Sequence, residues 1–147
     1  MREILFRGKR VDNGEWIYGY YIKATHHWHN HGIHEDWIAT DTVQNGGWCN
    51  VRGKYAVIPD TIGQFTGITD ENSNKVFDGD ILKNEYEKNK YQYFKVYYCN
   101  ITHSWLVENK YGMLGKLYNV IGDIEIIGNI HDNPELLRTP PNDEVRE

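Results

Sequence analysis

The chain has 147 residues, 14% of them aromatic (11 Tyr, 5 Trp and 4 Phe), and a formal net charge of -5. That length suits one domain or two very small ones, and it buries enough surface to fold without disulfide staples. The aromatic content excludes wholesale disorder, and no apolar run approaches the ~18 residues of a membrane-spanning helix.

The local pattern is one of short aromatic and β-branched runs broken by Gly, Asn and Asp, which reads as strands and turns. Residues 3–7 form the first predicted strand. Asp12-Asn13-Gly14 is a hairpin signal, because Asn-Gly supplies the positive φ angles of a tight turn. Residues 16–22 return as the second strand. Residues 24–36 are a polar, His-rich interruption without a clear period. Residues 37–40 are a short strand candidate, although 35–39 is also the best short helical candidate. Asn45-Gly46-Gly47 is a turn, and residues 55–58 are a β-type run ended by Pro59, which lacks a ladder donor.

Residues 62–65 follow as a short strand and the polar residues 69–74 as a turn. Asp78-Gly79-Asp80 is another turn, leading into a strand over 81–84. Residues 91–100 are rich in Tyr, Phe and Val and predict a long strand. Residues 105–108, 117–121 and 125–130 complete the antiparallel set. Pro134–Leu137 predicts a single helical turn with Asn133 as N-cap. No segment keeps a helical period over three turns.

The expected fold is therefore mostly β, with antiparallel strands forming a small SH3-like or barrel-like C-terminal part and an N-terminal hairpin subdomain. One domain spans 1–137. Its softest division is near Pro59, into a hairpin part over 1–58 and a barrel-like part over 59–137. Residues 138–147 read as a frayed polar tail.

Charge is uneven. Residues 1–56 carry 7 Lys/Arg against 6 Asp/Glu, whereas residues 57–137 carry 7 against 12. The only local positive excess is Arg2, Arg7, Lys9 and Arg10 against Glu3. Nucleic-acid binding is driven by clustered Lys/Arg releasing counterions from phosphates, so the global field disfavours it while a local patch can still attract it. Cys49 and Cys99 form no C-x-x-C pair; nothing in their spacing asks for a disulfide between them, and two buried or free thiols are the plainer reading. The first residues lack the apolar core of a secretion signal, which predicts a cytoplasmic protein.

Three blocks carry a family resemblance. They are Arg2-Glu3-Ile4-Leu5-Phe6-Arg7-Gly8 with Trp16-Ile17-Tyr18-Gly19, the central Val57-Ile58-Pro59-Asp60-Thr61-Ile62-Gly63-Gln64-Phe65-Thr66-Gly67-Ile68-Thr69-Asp70 running on to Lys75-Val76-Phe77-Asp78-Gly79-Asp80-Ile81-Leu82, and Glu125-Ile126-Ile127-Gly128-Asn129-Ile130-His131-Asp132-Asn133-Pro134-Glu135-Leu136-Leu137. In this order they resemble the YopX family of bacteriophage and prophage proteins. The resemblance implies a mostly-β, phage-encoded protein working inside a bacterial cell, and it brings no catalytic motif to carry over. The blocks also read structurally. Asp70 opens a turn and accepts from backbone amides ahead of it, Gly79 takes a positive φ, and Asp80 ties that turn to the next strand.

Three constellations invite chemistry. His26, His27, His29, His31 and His34 lie within nine residues, and His27, His29 and His31 would share one face of a strand. Neutral imidazole suits zinc, nickel or copper, but a structural zinc site wants four ligands, usually including Cys. A solvated loop is the plainer reading. Asp78, Asp80, Asp123 and Glu125 suggest a magnesium site, although turns and strand edges produce the same spacings. Tyr91, Tyr93, Lys95 and Tyr97 would share one strand face. Such a face is covered by another sheet or a second subunit, meets a protein partner or stacks on bases. The expected role is a noncatalytic accessory protein without a cofactor. It would bind an unidentified phage or host protein, with self-association also compatible.

Overall fold

The structure, a computed structural model, describes residues 1–23, 35–45, 48–120 and 122–138, with side chains except at 41–45 and 48–52. The chain is mostly β, as the alternating runs predict. Two compact units are present, Met1–Phe65 and Thr66–Glu147. The histidine cluster, the Gly46-Gly47 turn and the tail beyond Arg138 lie outside the described residues.

The first unit holds β1 (Phe6–Lys9), β2 (Trp16–Lys23), β3 (Asp36–Asn45) and β4 (Trp48–Ala56), then a 3-10 turn at Pro59–Thr61 and the start of β5 (Gly63–Thr69). It is a meander rather than a lone hairpin. β1 pairs antiparallel with β2, β2 with β3, and β3 with β4, while β1 takes β5 on its other edge. The β1–β2 connection is longer than a two-residue turn. It is closed by Arg10 N–H to Glu15 O at 2.9 Å and Gly14 N–H to Arg10 O at 2.9 Å, and Gly14 alone takes the positive φ, 71°. Residues 35–39 are extended, not helical. Ile38 packs inward, completely buried, while Trp37 alternates to the other face, which is the period of a strand. Val57, just past β4, is also buried and bridges Arg10.

The second unit holds β6 (Lys75–Phe77), β7 (Asp80–Glu87), β8 (Lys90–Cys99), β9 (Ser104–Asn109), β10 (Leu114–Lys116) and β11 (Asp123–Asn129). Five of these strands form an open sheet in the order β10-β9-β8-β7-β11. The strands form two sheets, both open, and no closed barrel forms among the described residues. One face of the five-stranded sheet buries Leu82, Phe94, Val96 and Val107, joined by Val76 and Leu117, with Trp105, Ile124 and Ile126 packed at the margin. Burying side chains of this size contributes roughly 1.5–3 kcal/mol each.

Two local devices fix this arrangement. Gly79 has φ 87°, donates to Val96 O at 2.8 Å and accepts from Ile130 N–H at 2.8 Å, so the 78–80 turn holds β8 and β11 together. Asp80, almost fully buried, accepts from Phe77 N–H at 2.7 Å. Between β7 and β8 the register shifts between Glu85 and Glu87, and Asn89 in the connecting turn has φ 62°.

Where the sequence predicts a strand over 117–121, the described residues 117–120 form none. Leu117–Asn119 is a 3-10 turn, with Leu117 buried and Val120 packed against the same core three residues on. That three-residue return is the 3-10 period. The turn at Pro134–Leu137 forms as predicted, but Asn133 does not cap it by side chain. Its Oδ1 accepts instead from Asn129 N–H at 3.3 Å.

Candidate binding face

Strand alternation divides the middle of β8. Phe94 and Val96 point into the core, and Tyr91, Tyr93, Lys95 and Tyr97 occupy the opposite face. The four side chains singled out in the sequence are therefore brought together. Tyr91 and Tyr93 are 43% and 42% exposed, which sets them apart from core tyrosines; Tyr97 is half-buried.

Registration supplies their neighbours. Tyr91 lies opposite Glu85, Tyr93 opposite Lys83 and Lys95 opposite Ile81 on β7. On the other side Lys95 lies opposite Glu108 and Tyr97 opposite Leu106. Lys95 Nζ is 3.0 Å from Glu108 Oε2 and 5.9 Å from the Tyr97 ring centroid. Lys83 Nζ sits 4.3 Å from the Tyr91 ring centroid. A shallow pocket of about 200 Å³ opens beside Tyr91, lined by Glu71, Lys83, Glu85, Asp123 and Glu125. Its four carboxylates outnumber its one ammonium. Sequence reading singled out Asp123 and Glu125 but missed Glu71, Glu85 and Lys83. Glu85 and Lys83 join them only through the pairing of Asp123 with Glu85 and of Glu125 with Lys83.

The imagined magnesium quartet does not assemble. Asp80 pairs with Asn129 and Asp123 pairs with Glu85, at opposite ends of the β7–β11 ladder. That separation is on the order of 15 Å at the rise of a strand. Asp80 is also buried and committed to Phe77 N–H. Among the described residues no group of three or more His, Cys, Asp or Glu side chains is placed to hold a metal ion. His27, His29 and His31 lie outside those residues.

Behind the face, Asp70 is the polar anchor. It is 6% exposed, and its carboxylate accepts from Asn74 N–H at 2.8 Å, Asn72 N–H at 3.0 Å and Ile126 N–H at 3.1 Å. Burial pushes its pKa up, but the amides of Ile126, Asn74 and Asn72 outweigh that and hold it below the ordinary carboxylate value. Asn84, fully buried, donates to Asp123 O at 3.1 Å and accepts from Gln92 Nε2 at 2.9 Å, fixing the strand that carries the pocket carboxylates. At the far end of β8, Cys99 is a free thiol whose pKa is lowered, chiefly by the Thr102 side chain and then by the Thr102 and Ile101 amides.

The family model described as YopX protein matches residues 5–138, nearly the whole chain. A crystal structure of protein EF1440 from Enterococcus faecalis has a similar fold, with a TM-score of 0.61 at 21% identity, covering 94% of this chain and 100% of that one. Among curated proteins none matches the chain.

Proposed function

The chain belongs to the YopX family, and on that footing we propose that it is a phage- or prophage-encoded accessory protein that acts inside the bacterial host by binding, without catalysis. The partner is a protein, and the outward face of β8 receives it. The observation that carries this reading is the pair of exposed rings, Tyr91 and Tyr93, standing on a rigid sheet whose other face is the core. Tyr supplies large contact area at low entropic cost and is enriched at interfaces. The four carboxylates beside Tyr91 favour a partner surface of positive charge and disfavour phosphates on this face.

The test is an affinity pulldown from the bacterial host during phage expression, comparing the wild type with a Tyr91→Ala/Tyr93→Ala variant. The double variant loses a partner that the wild type retains, while its urea midpoint stays at the wild-type value. Retention of every partner by the folded variant refutes the reading. Loss of the folded state instead assigns both rings to the core.

A further inference from the structure

The first unit carries a second aromatic face, of opposite electrostatic character. The register of β1, β2, β3 and β4 puts Arg7, Lys9, Trp16, Tyr18, Tyr20 and Trp37 on one side of the sheet, together with Lys54. Lys9 lies opposite Trp16, Arg7 opposite Tyr18, and Tyr20 and Lys54 flank Ala39 from its two neighbouring strands. The cations are held against the rings. The Arg7 guanidinium carbon is 4.7 Å and Lys9 Nζ 5.6 Å from the Trp16 centroid, and Lys54 Nζ is 4.9 Å from the Trp37 centroid. Among the described side chains of these four strands the one carboxylate is Asp36. It takes the opposite face, where Tyr21 Oη donates to it at 2.5 Å.

Charge is segregated along the chain in the same sense. Met1–Phe65 carries 7 Lys/Arg and 7 Asp/Glu, whereas Thr66–Glu147 carries 9 and 14, so the whole net charge of -5 belongs to the second unit. The net negative charge that disfavours nucleic acid is therefore not carried by the unit that bears this face. Within the face, Arg7 is buried and serves as a prop, but Lys54 is exposed and Lys9 half-exposed. Tyr18 and Tyr20 are the exposed rings, at 48% and 54%. They are alternate residues of one strand, about 6.6 Å apart along it.

We propose that this face binds single-stranded nucleic acid, with unpaired bases stacking on Tyr18 and Tyr20 and phosphates meeting Lys9 and Lys54. Stacking platforms beside cations on a sheet are the chemistry by which single strands are held without sequence readout. An acidic peptide would meet the same cations but gains nothing from successive ring faces. A duplex keeps its bases stacked on each other and has none to offer.

Fluorescence anisotropy with a labelled oligothymidylate and the full chain tests this. Binding is saturable at about 50 mM salt, and its logarithm falls with log[salt] at a slope of about -1.4, for two phosphates neutralised on a single strand. Tyr18→Ala and Tyr20→Ala each weaken it about fivefold or more with the slope unchanged, and Tyr18→Phe retains it. Lys54→Gln reduces the slope by about 0.7 in magnitude. The proposal is overturned by any of four results. These are no binding at low salt, equal affinity for a duplex of the same length, equal displacement by polyglutamate, or wild-type affinity in alanine variants that keep the wild-type circular dichroism spectrum.

Discussion

Replacing Asp70 by Asn is the sharpest probe of how the second unit is held together. The side chain loses its charge and exchanges Oδ2, the acceptor for Ile126 N–H, for an amide that is itself a donor. The Asn72 and Asn74 contacts through Oδ1 survive as neutral hydrogen bonds. A hydrogen bond to a charged group contributes about 1.5–3 kcal/mol, and a neutral one about half of that. The change therefore removes one strong bond and weakens two by about half, which costs about 3–6 kcal/mol in urea-denaturation free energy at pH 7. That is a large share of the ~5–15 kcal/mol by which domains are stable. In hydrogen exchange the Ile126 amide loses protection first. The pH dependence follows from the depressed pKa of the folded carboxylate. Its stabilisation is complete above the unfolded value of about 3.9 and is lost as pH falls through the folded pKa. The gap between wild type and Asp70→Asn should therefore narrow on acidification. A gap below about 0.5 kcal/mol at pH 7, within the range of surface changes, or a gap that persists unchanged into strong acid, refutes the account.

Two further expectations follow from the other perturbed groups. Tyr21 has its pKa pushed up to about 12, chiefly by the hydrogen bond to Asp36 and then by burial. Its ring-carbon NMR titration therefore ends late, and Asp36→Asn brings it back toward the ordinary value of 10.0. Because the folded pKa is raised, its stabilisation is complete below about pH 10 and is lost as pH rises toward 12. A titration unmoved by Asp36→Asn rejects the assignment. For Cys99, Thr102→Val removes the largest thiolate-stabilising contact. In a Cys49→Ser background it slows iodoacetamide labelling at neutral pH, and an unchanged rate counts against that contact.

What the sequence disclosed was what adjacent residues decide for themselves. The Asp78-Gly79-Asp80 turn, the alternation of β8 and the reach of Asp70 toward the amides of Asn72 and Asn74 are local matters of φ, period and side-chain length. The third bond of Asp70, to an amide 56 residues on, is invisible locally because nothing near Ile126 announces a carboxylate partner. The 3-10 turn at Leu117–Asn119 was hidden because an apolar run looks the same whether alternate or every-third residues are buried. The cationic aromatic face of the first unit emerged only from register. Lys54 and Trp37 are seventeen positions apart in sequence, and the hairpin of β3 and β4 makes them neighbours.

The phase of the β7–β8 connection has an evolutionary consequence. In the middle of β8, Phe94 and Val96 are committed to the core while Tyr93 and Lys95 take the other face, and the irregular step between Glu85 and Glu87 with left-handed Asn89 sets which parity is which. Gaining or losing one residue in that turn would hand Phe94 and Val96 to water and drive Tyr93 and Lys95 inward. Descendants of this chain are thus free to rewrite the tyrosine surface by substitution, one side chain at a time. Length changes at its rim are closed to them, so partner choice can drift while the frame that presents it stays fixed.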